Sequence, residues 1–333
     1  MLFLDRGDVA ALLPMGACIE AVERAFRAHA EGSLPAPPGV LATHVPGGGF
    51  HVKAATLGSA PGYYVAKINA NFPANPERNG LPTVQGMIGL FDASDGQPLA
   101  LLDSIEITTL RTAAASAIAA RYLALPEASS MLVCGCGVQG RAHLRALQAV
   151  RRLRRVVAFD RDADRVEAFI GELGPETGLD IEPAVSVAAA MSACEVVATC
   201  TPGREVLLRA GDLRPGQFIA AVGADSEGKQ ELDPRILRRA RVVTDLSEQA
   251  ARMGELQHAL AAGMMSIGEV HAELGELIAG LKPGRSSAEE IFVFDSTGTA
   301  LQDVASAAAV YERACAQGRG RRLALDGTGH RHA

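Results

Sequence analysis

The chain has 333 residues, 48% of them hydrophobic, which is enough for two domains with a core each. Its net charge of −6 comes from interspersed acids and bases, so it carries no electrostatic footprint for nucleic acid or an anionic membrane. No apolar stretch reaches the ~18 residues that span a bilayer, and Asp5 and Asp8 interrupt the first apolar runs where a signal peptide needs an unbroken one, which predicts a cytoplasmic protein. Apolar positions Val9, Leu12, Leu13, Ile19, Val22 and Phe26 then recur at helical spacing, with Pro14 at a helix start, so one or two amphipathic helices open the chain. The proline-rich stretch 34–39 breaks that pattern. Three short strands are predicted at 40–45, 50–55 and 63–68, joined by glycine turns at 46–49 and 58–62. Connections of four or five residues cannot make a parallel crossover, so these strands form an antiparallel sheet. A further pair, 83–91 and 98–102, is joined by the turn Asp92-Ala93-Ser94-Asp95-Gly96. A small-residue helix over 107–123 then connects to the next domain.

The run Met131-Leu132-Val133-Cys134-Gly135-Cys136-Gly137-Val138-Gln139-Gly140 is a strand that ends in three glycines and opens into a helix. In such a unit Gly135 makes the tight turn, Gly137 lets backbone N–H groups approach a pyrophosphate, and Gly140 lets helix and strand pack closely. A second apolar run, 155–159, delivers Asp160 twenty residues past Gly140, where a carboxylate accepts the ribose hydroxyls of NAD and repels a 2′-phosphate. Arg161 beside it could reach a phosphate, so NADP stays possible. Arg151, Arg152, Arg154 and Arg155 read as a solvated helix end. Beyond Asp160 a helix at 162–173, a strand at 181–184, a helix at 186–192 and strands at 195–200, 217–222 and 242–244 alternate as in a doubly wound (Rossmann) parallel sheet. Thr201, Val222 and Gly223, at strand ends that face the cofactor in such a sheet, join Val138 and Gln139 as cofactor-site residues. Residues 300–315 form a final helix that folds back onto the first domain. The expected division is 1–115 with 303–317, an α+β domain for substrate and dimerisation, and 116–302 for NAD. The segment 318–333 is expected to be disordered, and His330 and His332 alone make no metal site. Six cysteines without a Cys-x-x-Cys spacing, four of them in apolar or small-residue runs, read as reduced thiols.

Three polar residues could carry chemistry. Lys67, on an apolar strand next to Asn69, is either a substrate or catalytic group or a snorkelling lysine whose stem packs. Arg111, among Ala, Thr and Ser on a helix, has room to hold a carboxylate with two parallel hydrogen bonds, or it makes an interdomain salt bridge. Asp225, just after strand 217–222, is placed for proton exchange, or it is a turn aspartate.

The segments around Lys67-Ile68-Asn69, Leu110-Arg111-Thr112, Gly135-Cys136-Gly137-Val138-Gln139, Val222-Gly223-Ala224-Asp225 and Phe294-Asp295-Ser296-Thr297-Gly298 through Leu301-Gln302-Asp303 resemble, in order, the motifs of the ornithine cyclodeaminase and mu-crystallin family. That resemblance implies hydride transfer between nicotinamide and an amino-acid α-carbon. Lys67 and Arg111 would contact the substrate, Asp225 would be the acid/base, Ser296 and Gly298 would lie near the nicotinamide, and the protein would be a homodimer. The chain departs from the family where many relatives carry an arginine after the proline-rich stretch; here the sequence is Pro37-Pro38-Gly39-Val40. On the next strand His51-Val52-Lys53-Ala54 replaces a Glu-x-Met-Pro-like sequence, so His51 and Lys53 share a face and could present donors to the substrate; alternatively Lys53 is an edge-strand lysine that discourages aggregation. The expectation is an NAD(H)-dependent oxidoreductase of a small amino acid or cyclic imino acid. The alternatives are a true ornithine cyclodeaminase, which recycles its cofactor within each turnover, and a ligand-binding protein without turnover.

Overall fold

A computed structural model describes residues 1–34, 38–58 and 62–325. Residues 35–37 of the proline-rich break, 59–61 of the second glycine turn, and His330 and His332 lie outside the described residues. The chain divides into two compact units, Met1–Arg111 with Thr299–Ala333, and Thr112–Gly298.

The first unit is built on a seven-stranded sheet in the order Arg321–Arg322, Leu2–Leu4, Pro98–Asp103, Val84–Asp92, Tyr63–Asn71, Gly48–Leu57, Gly39–Val45. All neighbours are antiparallel except Leu2–Leu4 and Pro98–Asp103. The expected strands are present; four are longer than predicted by a residue or more, and the one expected at 83–91 is shifted by one residue to Val84–Asp92. Two short ones are new: Leu2–Leu4 is too brief to show a period, and Arg321–Arg322 lies in the segment expected to be disordered. Side chains alternate between faces along each strand. Val65, Lys67 and Asn69 are buried together with Ala55 and Lys53 on one neighbouring strand and Ile88 and Leu90 on the other. Helices Met15–Ala30 and Ala300–Gln317 pack on each other, and the latter covers this face. The opposite face carries Leu41, Val52, Ile68 and Met87 in direct register across four strands; Leu41, Ile68 and Met87 are exposed.

The second unit contains an eight-stranded, wholly parallel sheet. Its order is Ala272–Glu273, Arg241–Thr244, Phe292–Asp295, Phe218–Ala221, Val196–Thr199, Ser130–Cys134, Arg155–Phe159, Asp180–Pro183. Helices Val138–Gln148, Ala163–Thr177 and Val187–Ala193 stand where the alternation placed them. The central strands are apolar on both faces, as parallel strands covered by helices must be. Arg204–Leu208 and Gln230–Leu232 form an additional two-stranded parallel ribbon. Arg151 is not solvated as expected: its guanidinium is half-buried and donates to the carbonyls of Ala120 and Ala124, closing the end of helix Ser104–Leu123. Cys18, Cys134, Cys136 and Cys194 are buried free thiols.

Candidate active site

The glycine-rich turn of the second unit has the form that phosphate binding needs. Gly135 has φ of +99°, a left-handed value that only glycine adopts without strain, and a Cβ there would sit 2.8 Å from the Cys200 carbonyl. A Cβ on Gly140 would overlap the Gly135 carbonyl, so close helix–strand packing requires glycine. A Cβ on Gly137 would meet nothing within 4 Å, which leaves open space over the turn. Gly137 is also the N-cap of helix Val138–Gln148, and no side chain caps that helix. The N–H groups of its first turn, Val138 and Gln139 among them, therefore face outward with the positive end of the helix dipole, which suits a pyrophosphate. Asp160 Oδ2 accepts from Cys136 N at 2.8 Å, and Oδ1 from Asp162 N at 3.2 Å. Each oxygen keeps a lone pair for a ribose hydroxyl. Arg161 is exposed and pairs with Glu205 at 3.4 Å. These residues fit a dinucleotide.

Thr201, Val222, Gly223 and Ser296 follow the carboxyl ends of three adjacent parallel strands, the edge of a doubly wound sheet where ligands bind. The N–H groups of Thr201 and Gly223 donate to the two oxygens of Glu231 at 2.7 and 2.8 Å. Val222 N donates to Thr199 O at 3.0 Å, and Ser296 N to Ala221 O at 2.9 Å. Asp245 fixes the next stretch, accepting from Thr297 Oγ1 at 2.8 Å and Gly298 N at 2.6 Å. Asp225 lies beyond Gly223 with an exposed carboxylate that pairs with Lys229 Nζ at 2.6 Å.

In the first unit Lys67 and Arg111 meet on one carboxylate. Lys67 Nζ is 2.7 Å from Asp303 and 3.4 Å from Thr108 Oγ1. Arg111 Nε is 3.1 Å from Asp303 Oδ1, and its Nη1 donates to Gln302 Oε1 at 2.6 Å. Lys67, Arg111 and Asp303 are all buried, so Lys67 does not snorkel and Arg111 pairs within its own unit. Lys53 is the direct cross-strand partner of Lys67, and His51 of Asn69. Their strand lies inside the sheet, and Lys53 is buried, so the edge-strand reading of Lys53 does not hold. Asn69 Oδ1 accepts from Ser104 Oγ at 2.6 Å. Burial pushes the Lys67 ammonium down to about 7, with Arg111 and Lys53 adding repulsion against the pull of Asp303. Burial alone would raise Asp303, but Lys67 and Arg111 hold its carboxyl below the usual range. Asp303 and Gln302 are the residues that sequence reasoning did not assign. Their signal was a polar pair inside the otherwise apolar and small-residue run Leu301 to Ala309 of the final helix.

The second unit thus has the features of a dinucleotide-binding protein, and the first buries two cations on one carboxylate. The chain belongs to the ornithine cyclodeaminase/mu-crystallin family, whose pattern matches residues 1–318. It is 39% identical to an alanine dehydrogenase from Archaeoglobus fulgidus over 97% of this chain and 98% of that one. Among solved structures, an archaeal alanine dehydrogenase dimer with bound NAD superimposes with a TM-score of 0.93 at 38% identity, covering 98% of this chain and 99% of that one. A Δ(1)-pyrroline-2-carboxylate reductase from Thermococcus litoralis, in complex with NADH and L-proline, does so with a TM-score of 0.92 at 31% identity, covering 97% and 100%.

Proposed function

We propose that the protein is an NAD(H)-dependent oxidoreductase that interconverts imine and amine at the α-carbon of a small amino acid or cyclic imino acid. The observation that carries this reading is the buried pair of cations, Lys67 and Arg111, oriented by Asp303. NAD(H), when bound, supplies or accepts the hydride. Gly135, Gly137, Val138, Gln139 and Gly140 would hold its pyrophosphate, Asp160 its adenosine ribose, and Thr201, Val222, Gly223, Ser296 and Gly298 its nicotinamide half. Arg111 and Lys67 would neutralise and orient the substrate carboxylate, with Lys53, His51 and Asn69 beside them. Asp225 would give a proton to the substrate nitrogen in reduction, or take one from the attacking water in oxidation.

The test is a panel of small amino acids and cyclic imines followed by NADH absorbance. Stoichiometric NADH consumption with a cyclic imine, or NADH formation with an amino acid, is the expected result. L-Ornithine turned over with no net change in NADH would show a cyclodeaminase instead. We infer further that the enzyme is cytoplasmic and a homodimer. An archaeal alanine dehydrogenase similar to this chain is a dimer, and the apolar row Leu41, Val52, Ile68 and Met87, exposed at all but Val52, is a face that a second copy would cover.

A further inference from the structure

Three buried carboxylates at the carboxyl edge of the parallel sheet have no part in that reaction scheme. Glu231 accepts from Thr201 N and Gly223 N through its two oxygens. The backbone N–H groups of Glu231 and Leu232 donate in turn to Oε1 and Oε2 of Glu255, at 2.6 and 3.2 Å. Those of Glu255 and Leu256 donate to Oδ1 and Oδ2 of Asp295, at 3.0 and 2.8 Å. Asp295 closes the strand Phe292–Asp295 within the sheet. One unit, a carboxylate receiving two amides, is thus repeated three times from the rigid sheet out to the loops of Thr201 and Gly223.

Among the described residues none of the three carboxylates forms an ion pair; backbone N–H groups hold them, joined at Glu231 by the side chains of Thr199 and Thr201. Two glycines make room for them. A Cβ at Gly223 would lie 2.5 Å from Glu231 Oε2, and one at Gly254 would lie 2.5 Å from Asp295 Oδ2. Burial raises all three carboxyls, Asp295 to about 7, with repulsion between neighbours adding to the rise at Glu255. Stability alone does not favour such an arrangement, because apolar side chains of similar volume would avoid the desolvation. What the carboxylates provide, and apolar groups cannot, is a fixed direction for particular amides.

We propose that Glu231 is a positioning residue for the cofactor: it fixes the amides of Thr201 and Gly223 before NAD(H) arrives, while Glu255 and Asp295 hold Glu231 in place. The proposal rests on the reading that these two loops contact the nicotinamide half. In Glu231→Gln the side chain keeps its shape but has a single acceptor oxygen, so one of the two amides faces an N–H group. The NADH dissociation constant, measured by fluorescence, should rise about tenfold, or about 1.4 kcal/mol. The substrate KM at saturating NADH should stay within about twofold, a split that a merely structural loss does not produce. A Glu231→Gln protein with a lowered Tm and wild-type NADH affinity would overturn the proposal alone. Wild-type protein that fails to bind NADH would overturn the cofactor reading, and this proposal with it. If Glu231→Gln does not fold, amide exchange in the wild type decides. Slow exchange at Thr201, whose amide donates to Glu231, without NADH supports positioning, and exchange at the rate of an open loop refutes it.

Discussion

Lys67 carries a proton that neutral pH can remove. In the proposed function its ammonium holds the substrate carboxylate, and burial with two neighbouring cations brings its pKa to about 7. Below that value the lysine is charged and kcat/KM should be flat; above it the charged fraction falls, and kcat/KM, which reports the free enzyme, should fall with it. Lys67→Arg keeps the charge throughout, so a profile recorded from pH 5.5 to 9 should lose this bend. If the bend persists unchanged in Lys67→Arg, it belongs to another group. Asp225→Asn should lower kcat by about 10²–10⁴ fold while NADH affinity and Tm stay near wild type. Its exposed pair with Lys229 contributes under about 1 kcal/mol, so a turn or ion-pair role predicts full activity. Asp160→Ala should weaken NADH and shift preference toward NADPH; a variant that keeps its full preference for NADH would remove the ribose role. Lys67 and Arg111 were legible as candidates because a charge among apolar or small neighbours is conspicuous in a sequence, and Asp160 and Asp225 because each follows an apolar strand run. Asp303 was less so, since its partners are Lys67 and Arg111, far away in the chain, and no local pattern encodes that distance.

At the scale of elements, the final helix Ala300–Gln317 does more than cover a sheet. It brings Asp303 against two cations, and Asp303→Asn would leave both buried without their counter-charge. The expected cost is about 3–5 kcal/mol, read as a lower midpoint in urea denaturation. An unfolding free energy within about 0.5 kcal/mol of wild type would mean that solvent or other groups already neutralise the cations. Long runs with a clear period were readable from the chain, including both sheets and their parallel or antiparallel sense. Short elements were not. Leu2–Leu4 is a strand because Pro98–Asp103 offers it an open edge, and Phe292–Asp295 because Phe218–Ala221 and Arg241–Thr244 flank it. The helix expected from residue 107 begins at Ser104 because Asp103 Oδ1 caps the N–H groups of Ile105 and Glu106, at 3.0 and 2.9 Å. The capping aspartate was in the sequence, but a strand ends on it, and the strand pattern concealed it.

For the whole molecule, the apolar row on the outer face of the antiparallel sheet makes the homodimer testable. Ile68→Lys places a charge at the middle of that row, and sedimentation should show a shift from dimer toward monomer. A wild-type chain that sediments as a monomer would end the homodimer reading. The division of the chain has a different consequence, one that concerns its synthesis. The unit holding Lys67 and Arg111 is interrupted by the entire segment Thr112–Gly298 and is completed only by the helix that bears Asp303. At ~5–20 residues per second, a ribosome needs on the order of ten seconds or more to make the intervening segment. Throughout that interval Lys67 and Arg111 lack Asp303, which is not yet made, while the dinucleotide-binding unit has its whole sequence once Gly298 has emerged. The expected order of maturation is therefore the reverse of the order in the chain: the second unit should fold first, and the first unit should be finished last.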